Sequence, residues 1–486
     1  MKRIAYLSPL NPAPSGISDY SEELLPYLAQ YAEITLYLDE RQQPSNPNLA
    51  QHLAIRSAGK LERDQRRRPY DALLYHMGNS PVHAWIWHAM QRVPGVLVLH
   101  DFVLHHFMLN YAATVRRNVE RYRSEAAQRY GPEGERIAQL MLHGRFTEAA
   151  FDLPFCESVL ARADGLIAHS QYVIARAAAL RPELPAALVP MGVPLPPPIP
   201  RTIARVRLDL PADALILASF GHINPYKRLE AVFRALQTLR IEQPGLRYLL
   251  VGSVSASYDV RAAVARAGLE DIVAITGYVD RAAFEDYVAA SDICLNLRHP
   301  TAGETSASLL RILGAGRATL VTASGAFAEL PAGVAAQVDP DASEGDLLLA
   351  YCRLLIARPD LRAAIGATAR DYVAREHTLD GAAAGYMRFL AARYGWGEPR
   401  KLRDGPLWEI STADGGRPTT DDGRRTTDDG RWAMDDEKSA TYNLQSAIAE
   451  AIAGLGATED DTPLLDGAAQ AIIELFGDKP RGGQHY

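Results

Sequence analysis

Pro190-Met191-Gly192-Val193-Pro194-Leu195-Pro196-Pro197-Pro198-Ile199-Pro200 divides the chain. Proline fixes φ and lacks an N–H, so this run is neither helix interior nor central strand; it reads as a stiff linker. Before it, short β-prone runs occur at Ile4–Leu7, Ile34–Tyr37, Ala72–Tyr75, Val96–Leu99 and Gly165–Ala168. Helical patterns begin near Asp19, where Leu24, Leu25 and Leu28 recur at helical spacing, and cover Pro81–Gln91 and Val173–Leu180. After the linker the alternation restarts. Strands are predicted at Leu215–Phe220, Tyr248–Val251, Val273–Ile275, Ile293–Asn296 and Thr319–Val321. Helices are predicted at Leu229–Leu239, Val260–Ala267, Ala282–Ala290, Ser308–Leu313, Leu347–Ile356 and Leu361–Ala374. Continuous apolar runs of this length suit a parallel sheet covered on both faces. The pattern predicts an α/β protein of two doubly wound, Rossmann-like domains facing across a cleft, at 1–195 and 200–380. A last helix at 381–396 has the length to cross back to the first domain.

The remainder is different. Arg417-Pro418-Thr419-Thr420-Asp421-Asp422-Gly423 recurs as Arg424-Arg425-Thr426-Thr427-Asp428-Asp429-Gly430. The period is seven but no apolar seam exists, so 400–440 reads as a polar repeat linker. Leu444–Leu455 and Ala468–Phe476 suggest a short helical tail over 441–486. The net charge of −7 belongs to this extension: residues 401–486 carry 17 acidic and 9 basic side chains. The body is balanced, which argues against a nucleic-acid partner. Three widely spaced cysteines, Cys156, Cys294 and Cys352, form neither a disulfide framework nor a zinc ribbon. No apolar run of about 18 residues and no signal-peptide core is present, so a cytoplasmic protein is expected.

Doubly wound sheets bind ligands beyond the carboxyl ends of their strands. After the first strand the loop reaches Gly16 and then Asp19. A glycine before a helix lets a ligand approach backbone, although a tight connection explains it equally. After Val96–Leu99 stand His100-Asp101. Histidines are frequent here, but no HExxH spacing occurs and His83 and His88 are five apart, so no metal site is expected. His105 and His106 read as packing or surface residues. After Leu215–Phe220 come Gly221-His222 and then Lys227-Arg228, a basic pair at a helix start suited to a diphosphate, or an ordinary surface pair. After Ile293–Asn296 comes Pro300-Thr301-Ala302-Gly303-Glu304-Thr305-Ser306-Ala307-Ser308. Small residues expose N–H groups to a phosphate, hydroxyls add donors, and Glu304 is placed to accept bonds from sugar hydroxyls. A helix capped by Thr305 or Ser306 is compatible with that role.

Taken in order, Pro14-Ser15-Gly16-Ile17, His100-Asp101, Gly192-Val193, Gly221 with Lys227, Gly277 to Asp280, Ser291-Asp292, Glu304 and Gly316 resemble a known family. It is the retaining GT-B glycosyltransferases of family 4, the glycosyltransferase group 1 type, and the likeness spans about residues 1–396. The resemblance implies a nucleotide-sugar donor and a hydroxyl acceptor, which is a glycan, a lipid-linked sugar or a small molecule. It implies His100, Lys227 and Glu304 as catalytic residues. It implies Gly16, Gly221, His222, Arg228, Tyr278, Thr305, Ser306, Ala307 and Ser308 as donor-binding, with Asp19 and Asp101 as acceptor contacts. It implies no metal and no cofactor. His222 stands where the family usually has arginine, and Arg311 stands where a second glutamate is usual. Arg311 accepts no ribose hydroxyl, which keeps two alternatives open: a GT-B sugar-nucleotide epimerase, or a non-catalytic sugar-nucleotide-binding protein. Arg116, Arg117, Arg121 and Arg123 form a basic run that would suit an anionic membrane, but Glu120 and Glu125 interleave, as on a solvated helix face.

Overall fold

Apolar runs become strands where both of their faces are covered. The computed structural model describes residues 1–40, 42–145 and 147–409. Among these, seven runs build a first sheet: β1 (Lys2–Leu7), β2 (Ala32–Leu38), β3 (Ala54–Ser57), β4 (Ala72–Met77), β5 (Gly95–Leu99), β6 (Ala163–Ala168) and β7 (Ala186–Leu188). Six build a second: β8 (Leu215–Phe220), β9 (Leu246–Val251), β10 (Val273–Gly277), β11 (Ile293–Asn296), β12 (Thr319–Thr322) and β13 (Ala336–Val338). The spatial orders are β3-β2-β1-β4-β5-β6-β7 and β10-β9-β8-β11-β12-β13, and the β1–β4 and β8–β11 pairings are parallel. Chain direction therefore reverses its winding between β1 and β4, and again between β8 and β11. Such switch points open a crevice at the carboxyl ends of the strands. Every predicted strand is present. The edge strands β3 and β7 and the short β13 were not predicted. They are only three or four residues long, too short to stand out as strand patterns.

Local chemistry sets the helix ends that face the crevice. The helix Gly16–Leu28 starts three residues before Asp19, because Ser15 is its N-cap and accepts from Ile17 N at 3.2 Å. Leu24, Leu25 and Leu28 are its buried stripe, as their spacing predicts. The helix Ala307–Gly314 is capped by Ser306, which accepts from Leu309 N at 3.2 Å. Pro81–Gln91 resolves into a 3₁₀ turn, Pro81–His83, and a helix, Ala84–Arg92.

The proline linker has a partner. Val193 N donates to His377 O at 2.9 Å, and His377 Nδ1 lies 2.8 Å from Met191 O. A Cβ on Gly192 would stand 2.7 Å from both Leu379 Cα and Thr378 O, so only glycine lets these two passages between the sheets lie side by side. The helix Leu379–Tyr394 then packs on Gly16–Leu28. Tyr386 and Tyr20 are both buried there, with their hydroxyls 3.3 Å apart.

Residues 400–409 are not part of a polar linker, contrary to the expectation for 400–440. Leu402 N donates to Gln30 O at 2.6 Å and Leu407 N to Pro26 O at 2.9 Å. Trp408 is 8% exposed and stacks on His52 with ring centroids 5.6 Å apart. The repeat and the 441–486 helices lie outside the described residues. A chain ending at residue 396 loses the Trp408 contact. It is expected to be less stable than one ending at 409 by about 3 kcal/mol, the scale of deleting a buried tryptophan. Urea titration of both chains checks this; coincident midpoints would refute it.

Both sheets belong to one compact unit, whose described residues are 1–40, 42–107 and 148–409. Residues Met108–Thr147 fall in a second unit. It contains the helix Val119–Leu142, broken at Gly131, where φ is 69° ahead of Pro132. Arg123 pairs with Glu120 at 2.8 Å and Arg129 with Glu125 at 3.0 Å. These are surface pairs, each worth little stability. No helix among the described residues is long and apolar enough to cross a membrane.

Candidate active site

The crevice is lined by the segments that leave the carboxyl ends of β1, β4, β5, β8 and β11. Met77 pairs with Leu99, and His100 N continues the ladder to Met77 O at 2.9 Å. His76 and His100 are thereby set beside each other. His76 Nδ1 and His100 Nε2 are 2.9 Å apart, and the His169 ring centroid lies 5.0 Å from that of His100. All three imidazoles are buried. Burial, followed by their mutual repulsion, drives His76 and His100 well below the usual imidazole range, and burial takes His169 down to about 4. All three are neutral at pH 7. The cluster is therefore a hydrogen-bonding floor. Among the described residues no three His, Cys, Asp or Glu side chains are grouped to hold a metal ion.

On the second sheet's side, β8 ends at Gly221 and a short turn, Pro225–Lys227, brings Lys227 back over the strand end. Lys227 Nζ donates to Phe220 O at 2.6 Å and would lie 3.5 Å from a Cβ on Gly221. Ser308 Oγ, in the first turn of Ala307–Gly314, would lie 3.9 Å from the same point. One ammonium and one helix N-terminus thus meet at the end of β8. Burial, then the charge of Arg298, pushes Lys227 down to about 7. An anion entering this corner would restore its full charge.

The loop after β11 carries the carboxylate. Glu304 accepts from Thr301 Oγ1 at 2.8 Å and is ion-paired with Arg298. Burial raises its carboxyl, but the Arg298 charge together with the hydrogen bonds from Arg298, Thr301 and its own backbone N–H outweighs this and holds it below the usual range. The loop also touches the opposite wall. Val103 N donates to Ala302 O at 2.9 Å, and a Cβ on Gly303, where φ is +85°, would stand 2.9 Å from Phe102 Cβ.

The remaining predicted residues divide. Gly16 is exposed with open space above it, and Asp19, also exposed, accepts from Asn11 Nδ2 at 2.9 Å. Asp101 accepts from Asn79 N at 2.7 Å, and burial, then the charge of Glu304, pushes its carboxyl up to about 7. His222 Nδ1 lies 2.9 Å from Ser253 Oγ, at the mouth. Thr305, Ser306 and Ala307 form the start of Ala307–Gly314. Arg228 is not in the crevice. Its guanidinium grips buried Glu344 through contacts of 2.6 to 3.0 Å, so it serves the fold. Tyr278 is 83% exposed, and nothing in the structure ties it to the corner. His105 is buried, its ring centroid 5.0 Å from that of Phe155.

Several pairings escaped sequence reasoning. Arg311 Nη2 donates to both oxygens of Glu23, at 2.7 and 2.8 Å, and Arg281 pairs with the same carboxylate. Glu329 accepts from Gln171 N at 2.9 Å and Tyr172 N at 2.5 Å, capping a helix of the first sheet's layer from the far side of the crevice. Partners this distant in sequence leave no local pattern. Arg298 had a signal: a cation two residues beyond a strand's carboxyl end.

Two doubly wound sheets opposed at their carboxyl ends, with a cation and a helix N-terminus on one wall, define the GT-B architecture. Residues 214–356 match the family described as glycosyl transferases group 1. A D-inositol 3-phosphate glycosyltransferase from Kineococcus radiotolerans is 37% identical over 118 residues, which are 22% of this chain and 27% of that protein. The enzyme of the same description from Thermobispora bispora is 32% identical over 111 residues, 21% of this chain and 26% of that one. The chain thus spans about a quarter of the length of the curated relatives it matches. Among solved structures, sucrose-phosphate synthase from Thermosynechococcus elongatus superposes with a TM-score of 0.59 at 17% identity, over 81% of this chain and all of that one. Anabaena HepE in complex with UDP-glucose does so with 0.57 at 16%, again over 81% of this chain and all of the other. At these identities the superpositions establish the fold.

Proposed function

We propose that the protein is a glycosyltransferase that moves a sugar from a nucleoside diphosphate-sugar to an acceptor hydroxyl, with retention of anomeric configuration. The observation that carries the reading is the corner at the end of β8. There the Lys227 ammonium and the N-terminus of Ala307–Gly314 converge, within the segment that matches the group 1 family. Breaking the anomeric C–O bond builds negative charge on the departing diphosphate, and preorganised positive groups lower that barrier. In this reading Lys227 and the helix end supply the charge without a metal cofactor. Glu304 accepts from hydroxyls of the donor sugar, and the neutral His100 borders it. Closure of the two walls keeps water from the donor. The resemblance favours retention through front-face attack.

The solved Anabaena relative holds UDP-glucose, and the curated relatives act on a phosphorylated inositol. A uridine diphosphate-sugar and a phosphorylated polyol are therefore the first donor and acceptor to test. A thermal-shift screen of nucleotide-sugars is expected to raise the melting temperature with one of them. Saturation at 100 times Kd adds about 2.7 kcal/mol. Transfer is then followed by nucleoside diphosphate release, and the product anomer by NMR. No shift with any nucleotide-sugar would remove the reading, and an inverted product would remove retention alone.

A further inference from the structure

The exits of β8 and β11 adjoin, because the two strands are parallel neighbours with Leu295 level with Ser219. Three lysine or arginine side chains follow these strands directly: Lys227, Arg228 and Arg298. Lys227 sits on Phe220 O, and Arg228 is turned away onto Glu344. Arg298 stands two residues beyond the end of β11. Its loop is fastened to the turn that carries Lys227, since His299 N donates to Tyr226 O at 2.9 Å.

The Arg298 side chain is held in place before any ligand arrives. Its backbone N donates to Thr322 Oγ1 at 2.8 Å, and its guanidinium carbon lies 5.9 Å from the centroid of the buried Phe327 ring. Nη1 donates to Glu304. Among the described residues Nε and Nη2 have no partner, and the side chain is a quarter exposed. A guanidinium carries its donors in a planar fork, so a carboxylate on Nη1 leaves the Nε–Nη2 edge open, the edge that matches a phosphate.

The charge at the corner is otherwise too small for a diphosphate, which carries more than one negative charge at pH 7. Burial leaves Lys227 only partly charged there, with a value of about 7. His222 is held below the usual imidazole range by burial, then by the charges of Lys227 and Arg298. The Arg298 charge acts on Lys227 as well, so the guanidinium stands within electrostatic reach of both.

Resting on the transferase reading above, we propose that Arg298 is the second cation of the diphosphate site. Nη1 stays on Glu304, and the open Nε–Nη2 edge takes phosphate oxygens. One side chain thereby joins the carboxylate that accepts from the donor sugar to the charge that holds the diphosphate.

The test uses UDP and GDP, titrated calorimetrically into the full chain. Arg298→Gln is expected to weaken the diphosphate that binds by about 10- to 100-fold, the scale of one hydrogen bond to a charged group. The same loss should separate Glu304→Gln from the double variant Glu304→Gln/Arg298→Gln. The double variant leaves no buried charge unpaired, so this comparison holds even where Arg298→Gln alone fails to fold. Arg298→Lys returns the charge without the fork and should fall between wild type and Arg298→Gln. A residue that only neutralised Glu304 would show no loss once Glu304 is glutamine. That result, or wild-type affinity in Arg298→Gln, overturns the role of Arg298 alone. A wild-type protein that binds neither UDP, GDP nor any nucleotide-sugar removes the transferase reading and the diphosphate site together.

Discussion

Lys227→Met is expected to lower turnover about 10²- to 10³-fold, the scale of removing one preorganised donor from a developing anion. The physical reason is the cost already borne in the empty protein. Lys227 is buried against the Phe220 carbonyl, and that burial takes its ammonium down to about 7. A diphosphate in the corner favours the charged form and raises this value. At pH 8 the empty protein holds Lys227 mostly neutral, so donor binding must draw in a proton. At pH 6 Lys227 is already charged and the uptake disappears. Calorimetry of nucleotide-sugar binding in buffers of different ionisation heat measures the proton directly. Uptake at pH 8 that persists in Lys227→Met would contradict the assignment. Methionine matches the length of the stem, so a melting temperature near wild type separates lost chemistry from lost folding.

The second large effect concerns Glu23. Its buried carboxylate is shared by Arg311 and Arg281, which come from the other sheet's layer. Removing one member of a buried ion group leaves the opposite charge buried and unpaired, which costs about 3–5 kcal/mol when burial is complete; here that charge is Arg311, since Arg281 keeps Glu285 at 3.2 Å. Arg281 is a third exposed and recovers part of its hydration, so Glu23→Ala is expected to lose roughly 2–3 kcal/mol. The double-mutant cycle with Arg311→Ala should return a coupling of at least about 1 kcal/mol. A coupling below about 0.5 kcal/mol would mean that the pair holds nothing together.

These two residues also mark how far the sequence can be read. Lys227 was legible because strand, glycine, turn and lysine follow one another within a dozen residues. The same is true of Glu304 and Ser306, which lie in one run of small residues that opens a helix. The central strands were legible because burial on both faces forces unbroken apolar runs. The strands β3, β7 and β13 were not, since an edge or a three-residue pairing asks little of its side chains. Arg228 reads as a donor contact for its place beside Lys227. The structure turns it onto Glu344, 116 residues away, and no local spacing encodes that choice. Arg311 is visible as a departure from the family pattern, but its meaning required Glu23, 288 residues earlier. Sequence pattern records what a segment does with itself and with solvent. It records poorly what two distant segments do with each other.

The pairing of the proline run with the chain at His377 to Leu379 has a mechanical consequence. Both passages between the sheets are fastened to one another over a few residues, with Gly192 pressed against the opposing backbone. They act as a single axle. Sliding one half past the other would shear the Val193 and His377 bonds, whereas swinging about that line leaves them whole. The protein's two walls are thereby left with one cheap degree of freedom, and the far rim, where Gly303 meets Phe102, travels furthest along it.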